Sequence, residues 1–117
     1  MESSRIVTAL AALAQESRLD IYRLLVQAGL PGLAAGSIAE KLGLPASTLS
    51  FHLNQLQQAD LISNRREGRS LIYAAQYKTM NGLLAYLTEN CCQGEVSGCD
   101  TPSCEPMVAA AISRKNP

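Results

Sequence analysis

Nothing in the sequence approaches the run of about 18 apolar residues that a bilayer-spanning helix needs, so no membrane segment or membrane partner is expected. The opening MESSRIVTAL has no basic stretch followed by an apolar one, so no signal peptide is expected and a cytoplasmic address follows. Net charge is also missing: 10 Lys and Arg balance 10 Asp and Glu. That removes the global basic excess that often marks nucleic-acid-binding chains, although a local patch remains compatible with it. Histidine is scarce. His52 stands alone, without a Ser/His/Asp or paired-carboxylate constellation, so neither an enzyme nor a catalytic cofactor is expected. Cysteine is absent from the first 90 positions. Four cysteines confined to the last quarter cannot staple distant segments as a secreted disulfide scaffold does. No C-x-x-C lies beside a strand, as a thiol oxidoreductase would require.

What is present is a chain of 117 residues, 47% hydrophobic, enough for one core. Ile6, Val7, Leu10 and Leu13 recur at helical spacing and predict a helix over 4–14. A second is expected over 17–28, with Ile21, Leu24, Leu25 and Ala28 buried and Gly29 as its stop. GLPGLAAG reads as loop. Ser37-Ile38-Ala39-Glu40 reads as a capping box that starts a short helix ending at Gly43. Pro45 suits the first turn of the next helix, expected over 46–59, with Leu49, Leu53 and Leu56 inward. Glu67-Gly68 is a turn between two extended runs, and a last helix over 77–90 carries Met80, Leu83, Leu84 and Leu87 on one side. The expected division is a folded part over 1–90 and a Cys-, Gly-, Ser- and Pro-rich tail over 91–117. No internal repeat is present.

Helix, helix, short helix, tight turn, helix and hairpin form the order of a winged helix-turn-helix: mainly α, with a small β-hairpin. Opposite the leucines of the helix over 46–59 lie Ser47, Phe51, Asn54 and Gln58, flanked by Thr48, Ser50 and Gln55. No acidic residue on that face would repel phosphate. Asn54 or Gln55 suits an adenine edge, and Phe51 a thymine methyl. A large ring on an otherwise polar face calls for something to cover it. The competing reading is a merely solvated polar face. Arg65, Arg66 and Arg69 cluster at the hairpin, where a wing would meet the phosphate backbone; read alone, they are ordinary surface charge. His52 falls beside the buried stripe, to bond either a neighbouring helix or a phosphate.

These residues resemble the ArsR/SmtB metalloregulators. The resemblance runs from about Leu10 to Leu87 through ALAQESRLDIYRLL, SIAEKLGLPASTLSFHLNQLQQADLI and REGRSLIY, with Ser47, Ser50, His52 and Leu53 as its most specific core. It implies a homodimer built from the first and last helices, repression in the ligand-free state, and release on binding a metal or metalloid. It also implies that Ser47, Ser50 and Phe51 face DNA, where many relatives carry Arg, His or Gln in place of Phe51. The partner implied is double-stranded operator DNA with an inverted repeat. Family members that sense arsenic through a Cys-x-Cys before the recognition helix differ from this chain, whose GSIAEKLGLP has no cysteine. The zinc-sensing branch uses His and carboxylates on the last helix, where this chain has no His. NCCQGEVSGC looks like the arsenic-responsive members with a vicinal cysteine pair and a later third cysteine.

Cys91, Cys92, Cys99 and Cys104 are an all-sulfur set, and soft thiolates choose soft acceptors. Adjacent cysteines diverge and share a tetrahedral centre poorly. They suit a pyramidal three-coordinate ion when QGEVSG lets Cys99 fold back. Trivalent arsenic or antimony is therefore the expected inducer, on Cys91, Cys92 and Cys99, with Cys104 as a spare or a replacement. Structural zinc, cadmium, a reversible disulfide switch, and a tail with incidental cysteines are the alternatives. A protein-interaction winged helix with a metal-buffering tail is the rival of another class.

Overall fold

A computed structural model describes residues 2–89. Five helices and three strands follow one another: α1 (Ser3–Leu13), α2 (Glu16–Ala28), β1 (Leu33–Ala34), α3 (Ala35–Leu42), α4 (Ala46–Gln58), β2 (Ile62–Glu67), β3 (Ser70–Ala75) and α5 (Tyr77–Leu87). The chain divides into two units after Met80. The described part of the second unit is the rest of α5 and the turn to Glu89.

In the first unit, Ile21, Leu25, Ile38, Leu49, Leu56, Leu61 and Ile62 are fully buried. They come from α2, α3, α4 and the entry to β2, so α4 is built into the core along one side. Met80 and Tyr77 pack against the same cluster. The strands form one antiparallel sheet in the order β1-β3-β2. Ile62 pairs with Ala75 and Glu67 with Ser70, which leaves Gly68 and Arg69 as a two-residue loop. The Gln76 amide donates to the Leu61 carbonyl at 2.8 Å and closes the base of the hairpin.

Two expectations are corrected. The segment expected as loop contains β1, which pairs Leu33 with Tyr73 and Ala34 with Ile72. The backbone can approach because residue 32 is glycine at φ +71; a Cβ there would collide with the Tyr73 carbonyl oxygen. The chain then passes straight from strand to helix. Consequently α3 starts at Ala35, with Ala34 as an N-cap that makes no side-chain cap bond, and Ser37 lies inside the helix rather than capping it.

The turn between α3 and α4 uses Gly43 at φ +66, with the Leu44 amide donating to the Ala39 carbonyl at 3.0 Å. At the far end of α4 the same closing pattern recurs without glycine. The Leu61 amide donates to Leu56 and the Asp60 amide to Gln57, both at 3.0 Å, while Asp60 holds φ 63. Its carboxylate also accepts from Arg5 Nη2 at 2.9 Å and from the Thr79 hydroxyl at 3.3 Å.

Helix α1 has two apolar sides. Ile6, Ala9 and Ala12 are buried, whereas Val7 is 63% and Leu10 41% exposed. The single stripe expected from the sequence is thus split between inside and outside. On α5, Leu83 is buried, and Leu84, Tyr86 and Leu87 are exposed. Among the described residues, no helix is long and apolar enough to cross a membrane.

Candidate nucleic-acid interface

Helix α4 has a buried side of Leu49, His52, Leu53 and Leu56 and an outer side that is polar except for one ring. Ser47, Thr48, Ser50, Phe51, Asn54 and Gln58 are exposed, and Gln55 is half-buried. Phe51 is 56% exposed. No residue of α4 carries a formal charge. The helix can offer hydroxyls, amides and a ring to a base edge, and no ion for a phosphate.

Charge comes from the hairpin, unevenly. Arg65 is engaged within the protein. Its Nε donates to Glu67 Oε2 at 2.7 Å, its Nη2 to the Pro31 carbonyl at 2.8 Å and its Nη1 to the Leu30 carbonyl at 3.3 Å. Arg65 therefore pins the wing to the loop before β1. Arg66 and Arg69 are exposed and have no hydrogen-bond or ionic partner among the described residues. The wing is fixed to the helix separately: Asn64 Nδ2 donates to Gln57 Oε1 at 3.0 Å.

His52 bonds a neighbouring helix, one of its two expected readings, and is too buried for the phosphate contact that was the other. It is 7% exposed, and its Nδ1 lies 3.3 Å from Arg18 Nη1. Burial first, and the Arg18 charge second, hold its pKa below the usual value, so the ring is neutral near pH 7. The Phe51 ring meets it edge-on, with centroids 5.6 Å apart. Sequence reasoning missed Arg18, Gln57 and Asn64. Their partners are distant in sequence or lie on another element, and no local pattern signals such pairs. Tyr22 is buried, and its hydroxyl has no hydrogen-bond partner among the described residues; burial, then Tyr77, raises its pKa.

Cys91, Cys92, Cys99 and Cys104 lie outside the described residues. Among the described residues, no group of three His, Cys, Asp or Glu side chains is placed to hold a metal ion.

A helix-turn-helix domain family matches residues 13–65. The nodulation protein NolR of Rhizobium meliloti is 33% identical over 101 residues, covering 85% of this chain and 75% of that protein. An ArsR-like transcriptional regulator from Rhodococcus sp. RHA1 superposes with a TM-score of 0.66 at 28% identity, over 75% of this chain and 79% of that one. The chain belongs to the ArsR family. A homodimeric winged helix-turn-helix DNA-binding domain from Mycobacterium bovis is similarly close, with a TM-score of 0.61 at 28% identity, over 73% and 77% of the two chains. As an ArsR-family member, the protein is a winged-helix, DNA-binding transcriptional regulator and not an enzyme.

Proposed function

We propose that this ArsR-family protein is a cytoplasmic homodimeric repressor. It holds an inverted-repeat operator and leaves it when a trivalent arsenical or antimonite is captured by the thiolates of Cys91, Cys92 and Cys99. Cys104 is a spare or stands in for Cys99 or Cys92. Residues 1–90 bind DNA and dimerise, and 91–117 hold the inducer. The observation that carries DNA reading is the outer face of α4, uncharged and bearing exposed Phe51, next to a wing whose Arg66 and Arg69 have no partner among the described residues. Ser47, Thr48, Ser50, Phe51, Asn54 and Gln55 meet base edges and sugar-phosphate, and Arg66 and Arg69 meet phosphate. Arg65 supports the wing and touches phosphate only secondarily.

Dimerisation through α1 and α5 is supported by their exposed apolar residues, Val7 and Leu10 on one and Leu84, Tyr86 and Leu87 on the other. It is supported too by the homodimeric relative from Mycobacterium bovis. Two-fold symmetry would set the two α4 helices about 34–36 Å apart, one DNA turn. The sulfur set begins four residues beyond the end of α5, at Cys91. Its donor chemistry fits a lone-pair metalloid that takes three sulfurs. Cross-linking those sulfurs reshapes the end of a dimer helix and alters the half-site spacing. A coupling of about 1–3 kcal/mol weakens DNA binding about 5- to 150-fold.

The test is a mobility shift on the promoter fragment with arsenite titrated in. Release by arsenite in the wild type, and retention by a Cys91→Ser, Cys92→Ser double variant, is the expected pair of results. Normal release of the double variant would remove the sulfur assignment. Release by peroxide or by zinc, with indifference to arsenite, would replace the inducer.

A further inference from the structure

Arg18 joins three helices. Its amide donates to Gln15 Oε1 at 2.9 Å, within the first turn of α2. Its Nε donates to the Ala12 carbonyl at 2.7 Å, in the last turn of α1. Its Nη1 reaches His52 Nδ1 at 3.3 Å, on the buried side of α4. A guanidinium only donates, so the His52 Nδ1 must accept. The ring is thereby held as the neutral tautomer with its proton on Nε2. The edge-on contact with Phe51 then ties the orientation of this ring to the one large apolar group on the outer face.

We infer that Arg18 and His52 are positioning residues for DNA reading: one arginine takes its bearing from the end of α1 and fixes, through His52 Nδ1, the orientation of α4 and of Phe51. This goes beyond the residue roles proposed above and rests on the reading of α4 as the DNA-facing helix. Because α1 is the proposed dimer helix, the same side chain is a direct link from the dimer interface to the recognition helix. The link runs through one hydrogen-bonded side chain and adds no phosphate contact of its own.

Two side-chain replacements separate this role from simple packing. The Oδ1 of an asparagine stands near the place of Nδ1, whereas the Oε1 of a glutamine stands near Nε2. His52→Asn should therefore keep the bond to Arg18, and His52→Gln should lose it. Operator binding by fluorescence anisotropy is expected to weaken roughly tenfold in Arg18→Ala, His52→Ala and His52→Gln. It should stay near the wild-type value in His52→Asn, and the Arg18→Ala, His52→Ala double variant should be no worse than either single one. The salt slope should not change in any of them. Equal losses in His52→Asn and His52→Gln, or additive losses in the double variant, would overturn the inference. A salt slope flattened by about one in His52→Ala would instead make His52 a phosphate contact.

A second readout needs no DNA. With one histidine in the chain, nitrogen-15 correlation spectra report His52 without ambiguity. The free wild-type protein should show an unprotonated Nδ1 and a protonated Nε2, and Arg18→Ala should lose that fixed pattern. A proton on Nδ1 in the wild type would refute the link even if operator binding proved normal. The expected tautomer in a protein that binds no operator would leave the link standing and remove the functional reading instead.

Discussion

Helix α4 and the β2–β3 wing are neighbours joined by the Asn64–Gln57 bond, yet they divide the chemistry of binding almost completely. The helix has no charged residue and offers hydroxyls, amides and one exposed ring. The wing offers cations and little that can read a base. Affinity for DNA comes largely from phosphate neutralisation, while discrimination comes from base edges. A chain of zero formal net charge can therefore bind DNA if cations such as Arg66 and Arg69 sit beside a neutral reading surface. Within the wing the same division recurs. Arg65 is consumed by three internal bonds and holds the hairpin in place, whereas Arg66 and Arg69 have no partner among the described residues.

The comparison is broken most severely from the inside of α4. Leu56 is fully buried, and Leu56→Ala should lower unfolding stability by about 2–5 kcal/mol, measured by urea denaturation. It should abolish operator and non-specific binding together. On the outside of the same helix, Phe51→Ala should leave the denaturation midpoint almost unchanged. It should cost about 1–3 kcal/mol of discrimination between the operator and a singly mismatched duplex. In the wing, Arg66→Ala and Arg69→Ala should each weaken all duplexes alike and flatten the salt slope by about one. The smallest effect on the slope belongs to Arg65→Ala. Its cost should appear as loosening of the loop whose Leu30 and Pro31 carbonyls it holds, seen as faster exchange of the Gly32 amide, which donates to the Gly29 carbonyl at 3.1 Å. An Arg65→Ala slope change as large as that of Arg66→Ala would erase the distinction between them.

The helices were legible because their apolar residues recur at helical spacing, and the expected limits fall within a residue or two for α1, α2 and α4. The hairpin was legible from Glu67-Gly68 and its flanking apolar residues. β1 was not, because two residues carry no period and pair only with β3. Ser37 misled because a Ser-x-x-Glu spacing can also fall inside a helix, and here strand pairing fixes the chain at Ala34. Spacing alone puts Val7 and Leu10 in one stripe with Ile6, because it cannot separate a side that packs inward from one kept for another surface. His52 and Arg18 are 34 residues apart in sequence, and only folding makes them a pair. On the reading face, helical spacing points to each outer residue of α4 and sets His52 beside the buried stripe, where it is indeed buried.

The most direct test of helix-borne reading uses an operator fragment whose thymines are replaced one at a time by deoxyuridine. This removes a methyl from the major groove and leaves backbone and minor groove intact. Wild-type affinity should drop at one position in each half-site, and Phe51→Ala should be indifferent to the same replacement. Wild-type protein indifferent to every such replacement would contradict the claim that α4 reads the major groove through Phe51.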